Sequence, residues 1–212
     1  MIQYNLNFDN FTSYSEDNFL ISDSNKLSYK FLLQNKVNIN NIFLFGPKKS
    51  GKSHLSAIWC KRFDAIKLNL NKTNIRLIDN LNENILIEDV FNNLDEEKLF
   101  HIINNLNKNK KILLNSHIEP KKYQFKLNDL SSRIKTFNLI KISTPDDYLI
   151  SNLIIKLFND KQIKIKNKEV INYLIPRIER SFENVYALVK KIDKYSLSNK
   201  RNITIKLIKE II

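Results

Sequence analysis

The sequence is nearly empty of glycine: in 212 residues there are two, Gly46 and Gly51. It has a single cysteine, Cys60, which excludes an internal disulfide and a multi-cysteine metal site. Long apolar runs are missing as well. The longest are clusters such as Asn41, Ile42, Phe43, Leu44 and Phe45, far short of the roughly 20 residues a membrane-spanning helix needs. The start, from Met1 to Asn5, has no basic stretch followed by an apolar one, so no signal peptide is expected. Internal repeats and low-complexity linkers are absent too. These absences lead to the expectation of a cytoplasmic protein with no membrane partner.

What is present is enough apolar material, 42% of the chain, to bury a core of one domain or of a medium domain with a small companion. The formal net charge is +13, which raises the question of nucleic acid, because lysine and arginine gathered on one face displace counterions from phosphate. The lysines are scattered, however, in a sequence saturated with Asn, Lys and Ile, a bias that codon composition explains. Only residues 161–168 and 190–201 are locally basic, and each reads as a solvated helix end or loop. The charge suits work close to DNA without requiring contact with it.

Along the chain, residues 1–40 read as irregular to partly helical. Residues 41–45 form an apolar strand that runs into the glycines, and 50–62 a helix. Further strands are expected at 65–70, 84–90, 111–115 and 137–142, with helices at 95–106, capped by Asp95, and at 127–134. Strands alternating with helices predict a five-stranded parallel sheet covered on both faces, an α/β fold. The character changes near Thr144, where Thr144 is expected to cap and Pro145 to start a helix. From there the pattern is helical only, at 146–160, 167–177, 181–198 and 204–211, the last started by Thr204. The division expected is a peptide-like extension at 1–15, a nucleotide-binding α/β domain at 16–143 and an all-helical domain at 144–212.

Gly46, Pro47, Lys48, Lys49, Ser50, Gly51, Lys52 and Ser53 form a phosphate-loop pattern between a predicted strand and a predicted helix. Such a loop curls so that its N–H groups point at phosphate oxygens, and the helix beyond adds its positive end. Lys52 is placed to reach the β- and γ-phosphates and Ser53 to offer its hydroxyl to Mg²⁺. Both glycines of the chain occupy the motif's glycine positions, where a side chain would obstruct phosphate. Some 35 residues on, Glu88 and Asp89 end a strand where α/β sheets bind ligands. One carboxylate there can hold Mg²⁺ and the next can polarise an attacking water. The expected cofactors are therefore ADP or ATP with Mg²⁺.

With the loop, the acidic strand end, Arg133 and the trailing helices taken together, the chain resembles the AAA+ superfamily, and within it the Hda family of short DnaA homologues. The resemblance covers nearly the whole chain. Residues 46–55, ending in His54 and Leu55, are similar to that branch's phosphate loop, and residues 85–90 to its Walker B strand. Residues 129–133 resemble the box carrying the arginine finger, which the resemblance assigns to Arg133, and 204–211 the last helix of the lid. Gln3, Leu6 and Phe8 resemble the N-terminal peptide that docks on the bacterial sliding clamp, the β subunit of DNA polymerase III. Phe19, Leu20 and Ile21 resemble the segment lining the adenine pocket. The chain ends at the lid, where DnaA itself continues into a helix-turn-helix domain.

Several positions depart from the family pattern. Glu88 replaces the usual first Walker B aspartate. Asn115 and Ser116 suit the sensor I strand, but His117 stands where an acid is common. Glu183 falls where the sensor II arginine is expected, with Arg180 one turn earlier as a substitute contact for nucleotide. The resemblance thus implies a weak intrinsic ATPase, in which Asp89 and Asn115 serve catalysis and Ser53 and Glu88 the metal. It implies a regulator that docks on the clamp and presents Arg133 to ATP-bound DnaA, so that DnaA's ATP is hydrolysed and initiation is switched off. DNA contact would be indirect, through the clamp, and self-association as a dimer stays open. The alternative is a helicase loader or remodelling ATPase of the DnaC or IstB type. A metabolic kinase with the same loop fits poorly with Arg133 and the terminal helices.

Overall fold

The apolar runs of the first two-thirds of the chain form five strands: β1 (Asn41–Phe45), β2 (Ala65–Leu68), β3 (Asn84–Ile87), β4 (Ile112–Ser116) and β5 (Asn138–Lys141). The computed structural model describes residues 14–34, 39–71, 82–163, 169–199 and 202–212. Gln3, Leu6 and Phe8 lie outside the described residues. The strands pair in the order β2-β3-β4-β1-β5, and every pairing is parallel. The helices are α1 (Lys26–Gln34), α2 (Lys52–Phe63), α3 (Glu96–Asn105), α4 (Asn128–Lys135), α5 (Asp147–Asp160), α6 (Glu169–Leu174), α7 (Phe182–Asn199) and α8 (Ile205–Ile211).

Strand side chains alternate between faces, and both faces here are apolar because both are covered. Ile42 and Leu44 of β1, with Leu86, Leu113 and Ile140, pack under Leu55, Ile58 and Trp59 of α2 and Leu32 and Leu33 of α1. Phe43 and Phe45, with Ile85, Ile87, Ile112 and Leu114, pack on the other side against Leu99 and Ile102 of α3 and Leu130 and Ile134 of α4. Burying each such side chain contributes about 1.5–3 kcal/mol. A third cluster joins α5 to α8 through residues such as Ile150, Phe158, Val185 and Leu207.

Element ends differ from expectation where backbone turns intervene. The strand expected at 84–90 stops at Ile87 because Asp89 turns left-handed, with φ 47°. The strand expected at 65–70 ends at Leu68. The helix expected from residue 50 starts at Lys52, since Gly51 at φ 88° still belongs to the loop. The helix expected at 167–177 is α6 followed by a 3₁₀ turn at Ile175–Arg177, where Pro176 has no N–H to continue the α-helical ladder. Asp146, not Thr144, caps α5: its carboxylate accepts from Leu149 N at 2.7 Å and from Ser24 N at 3.3 Å. Asp95 and Thr204 cap α3 and α8 as expected, accepting from Lys98 N at 3.0 Å and Leu207 N at 3.2 Å.

The segment before α1 joins the sheet to the terminal helices. Ser143 N donates to Ser24 O at 3.0 Å, Leu20 packs on the helical cluster, and Lys156 Nζ donates to Asn18 O at 2.6 Å. Among the described residues, no helix is long and apolar enough to cross a membrane.

Candidate nucleotide site

The loop from Gly46 to Gly51 leaves the C-terminal end of β1, in the interior of the sheet, where parallel α/β sheets bind ligands. Each glycine is required, but for different reasons. A Cβ on Gly46 would lie 2.6 Å from the carbonyl oxygen of Ile142, which follows β5, so it is the neighbouring backbone that forbids a side chain there. Gly51 has φ +88°, a conformation side chains oppose, and its Cβ would press on Phe19. Lys49 also turns left-handed, at φ 60°. Lys52 Nζ is half-buried and donates to Gly46 O at 2.9 Å and Pro47 O at 2.6 Å. Burial pulls its ammonium down to about 8, and the charge of Asp89 opposes that shift. Ser53 is exposed at the start of α2, and Lys48 is exposed on the loop.

The acidic pair past β3 divides. Glu88 turns toward β2, ion-pairs with Lys67 and is mostly covered. Nearby Cys60 is pushed up to about 11, first by burial and then by the charge of Glu88, so it stays a thiol. Asp89 is the acid whose charge reaches Lys52, and it accepts from His117 Nδ1 at 3.1 Å. Asn115 locks this tip in place. Its buried side chain accepts from Asp89 N at 2.9 Å and donates to Ser56 Oγ of α2 at 2.9 Å, while its carbonyl accepts from Val90 N at 2.9 Å. Ser56, which composition did not single out, is thus the link between the phosphate-loop helix and the β4 asparagine. A cleft of about 160 Å³ opens beside the tip, bounded by Lys67, Asn69, Glu88 and Asp89.

Aromatic side chains crowd the start of α2. His54 Nε2 donates to Ser15 O at 2.8 Å, which places the ring proton on Nε2. The His54 ring meets Phe19 edge-on at 5.3 Å and Tyr14 at 5.5 Å, and Phe19 stacks on Tyr29 at 5.9 Å. Burial holds His54 below the usual histidine range, against the pull of the Ser15 carbonyl. From the terminal helices, Tyr186 of α7 comes close to the loop: Lys49 Nζ lies 5.2 Å from its ring centroid. Glu183, one turn earlier, is exposed, and Arg180 NH2 donates to Asp147 Oδ2 at 2.9 Å at the start of α5. Tyr186 was legible only as an off-core position beside Phe182, Val185 and Val189, which the helix turns inward.

Arg133 stands exposed in the last turn of α4, away from this cluster in sequence. Buried Leu130 and Ile134 anchor the helix, and the carboxylate of Glu96 receives Leu127 N at 2.7 Å at its start.

A glycine loop leaving an interior strand, an acidic tip on β3, a polar residue on β4 and the helices that follow the sheet define a phosphate-loop α/β protein with a helical lid. The fold matches domain III of the Thermotoga maritima replication initiation protein DnaA, with a TM-score of 0.74 at 20% identity, over 95% of this chain and 98% of that one. It also matches AMPPCP-bound DnaA from Aquifex aeolicus (TM-score 0.68, 21% identity, 92% of this chain and 70% of that one). The Thermotoga maritima RuvB Holliday junction branch migration motor matches with a TM-score of 0.66 at 15% identity, over 93% and 70%. In sequence, the chain is 29% identical over 230 residues to DnaA of Buchnera aphidicola subsp. Cinara cedri, covering 94% of this chain and 52% of that protein. It is 26% identical over 218 residues to an uncharacterized protein of Haemophilus influenzae, covering 94% and 90%. Residues 159–212 match the family model described as Hda, lid domain. These matches relate the chain to Hda and DnaA proteins. It spans about half the length of the DnaA relatives it matches, 52% and 49%.

Proposed function

We propose that this protein is a nucleotide-binding regulator of replication initiation that docks on the sliding clamp and stimulates ATP hydrolysis by DnaA. The observation that carries the reading is the state of the arginines. Arg62 is held by Glu16 and the Leu33 carbonyl, Arg177 lies over Tyr173, and Arg180 is paired with Asp147. Among the described residues, the exposed guanidinium of Arg133 has no hydrogen-bond or ion-pair partner. A guanidinium is planar and permanently charged, and one supplied from outside an active site can stabilise a transferring phosphoryl group by about 10³–10⁵ in rate. Arg133 would act on DnaA's nucleotide.

The protein's own site suits ADP or ATP, as the AMPPCP bound to the Aquifex aeolicus relative suggests. The loop N–H groups and Lys52 would hold the phosphates. Among the described residues, no three histidine, cysteine or acidic side chains cluster to hold a metal. Mg²⁺ would therefore rest on Ser53, an acid of the β3 tip and the phosphates themselves. With Glu88 drawn to Lys67 and Asp89 to His117, neither acid is left unengaged, which favours weak turnover of the protein's own nucleotide.

The test follows ATP hydrolysis by ATP-loaded DnaA in the presence of clamp loaded on DNA. Wild-type protein is expected to stimulate it, and Arg133→Ala to abolish the stimulation while still binding nucleotide. Absence of stimulation together with strong turnover by the protein alone would replace this reading with the helicase-loader one.

A further inference from the structure

We propose that Glu96 is the positioning residue for Arg133: its carboxylate, held at the start of α3, fixes the entry of α4 and so the direction in which that short helix presents the guanidinium. The inference rests on the reading of Arg133 as an arginine supplied to a partner's nucleotide, and adds the residue on which its aim depends.

Leu127, at the cap position of α4, offers no side-chain oxygen, so the N–H groups entering this helix need an acceptor from elsewhere. Glu96 supplies it from another element. Its two carboxylate oxygens each accept from Lys126 N at 3.0 Å, and one accepts from Leu127 N at 2.7 Å. The negative charge thereby lies at the positive starts of two helices, α4 and α3, of which Glu96 is the first residue. Glu96 is itself held. It is half-buried, Asp95 before it caps α3 through Lys98 N, and Leu99 and Ile102 bury that helix against the sheet. The chain segments leading into the two helices are joined a second time, by Phe91 stacked on Tyr123 at 4.1 Å.

The far end of α4 is tied at Arg133 itself, whose carbonyl accepts from Thr136 N at 3.0 Å and Thr136 Oγ1 at 2.7 Å. Between the two ends, Leu130 and Ile134 are buried and Arg133 is exposed. Two buried side chains four residues apart hold a helix down along one line and leave rotation about that line to its ends. At about 1.5 Å per residue, Arg133 stands roughly 9 Å along the helix from Leu127, so a tilt of about 10° at the start moves it by roughly 1.6 Å. A displacement of about 1 Å can cost about a hundredfold in a reaction that depends on positioning.

The test titrates Glu96→Ala, Glu96→Gln, Glu96→Asp and the neighbouring Glu97→Ala into ATP-loaded DnaA with clamp loaded on DNA, and measures nucleotide affinity and thermal unfolding of each variant alone. Glu96→Ala is expected to lower the maximal rate of hydrolysis at least about tenfold, with the half-maximal concentration and the variant's own nucleotide affinity unchanged. Glu96→Gln keeps an accepting oxygen and is expected to recover most of the rate, and Glu97→Ala to match wild type. Should Glu96→Ala fail to fold, Glu96→Asp, one carbon too short to reach both N–H groups, carries the same expected loss. A folded Glu96→Ala or Glu96→Asp at the full maximal rate overturns the inference. So does a loss confined to the half-maximal concentration, which would make Glu96 a partner contact, or one matched by loss of nucleotide affinity. No stimulation by wild type, or full stimulation by Arg133→Ala, takes down the arginine reading and this inference with it. Stimulation that needs Arg133 but not Glu96 overturns this inference alone.

Discussion

Lys52 is where charge and burial oppose each other most directly. Its ammonium sits among loop carbonyls, half-buried, and is pulled down from 10.5 to about 8. In the folded state the proton is lost at lower pH than in the unfolded chain. This weakens folding below about 8, and the penalty fades as pH rises toward 10.5. Phosphate requires the charged form, so binding has the opposite dependence. Nucleotide affinity is expected to be level below pH 8 and to fall above it by up to about tenfold per unit, with Lys52→Met weak and flat throughout. Titration with ADP between about pH 7 and 9.5 checks this; equal affinity at both ends would refute it. The motif itself was legible because its residue types and spacing suffice for a phosphate cradle. That Gly46 answers to the Ile142 carbonyl was not legible, because the two are neighbours only once β1 and β5 pair.

At the scale of elements, periodicity located the strands and the helices from α2 onward to within a few positions, while α1 lay in a stretch read only as irregular to partly helical, and the ends were set by groups from elsewhere in the chain. Asp146 caps α5 because its carboxylate receives both its own helix and Ser24. Burial raises its pKa, but the hydrogen bonds from Leu149, Ser22 and Ser24 outweigh this and hold it below the ordinary carboxylate value. A depressed carboxylate stabilises the fold above its unfolded pKa, and that stability is lost as pH falls through the folded value. Asp146→Ala is expected to lower stability by about 1–2 kcal/mol at neutral pH. The difference from wild type should narrow by about pH 3. Urea unfolding of both proteins at the two pH values measures it, and an undiminished difference in acid would assign the loss to packing.

At the scale of the whole molecule, the regulator reading divides the work between regions: nucleotide at the loop, Arg133 on α4, and clamp docking through Gln3, Leu6 and Phe8. Removing residues 1–8 is expected to abolish clamp-dependent stimulation of DnaA while leaving nucleotide affinity unchanged. Stimulation assayed with and without clamp would separate these effects, and full stimulation by the truncated protein would remove the clamp from the account.

By itself the sequence determined the parallel sheet, the phosphate loop and the helical lid, because each follows from patterns within a short window: alternating or continuous apolar runs, glycine spacing, and helical periodicity. Only the tertiary structure decided which groups from distant windows meet. It turned Glu88 to Lys67 and Asp89 to His117, tied Asn115 to Ser56, and brought Tyr186 rather than Glu183 to Lys49. A one-turn difference along α7 changes the residue facing the loop. That rotation is set by which side chains the lid core buries, information spread over all four of its helices.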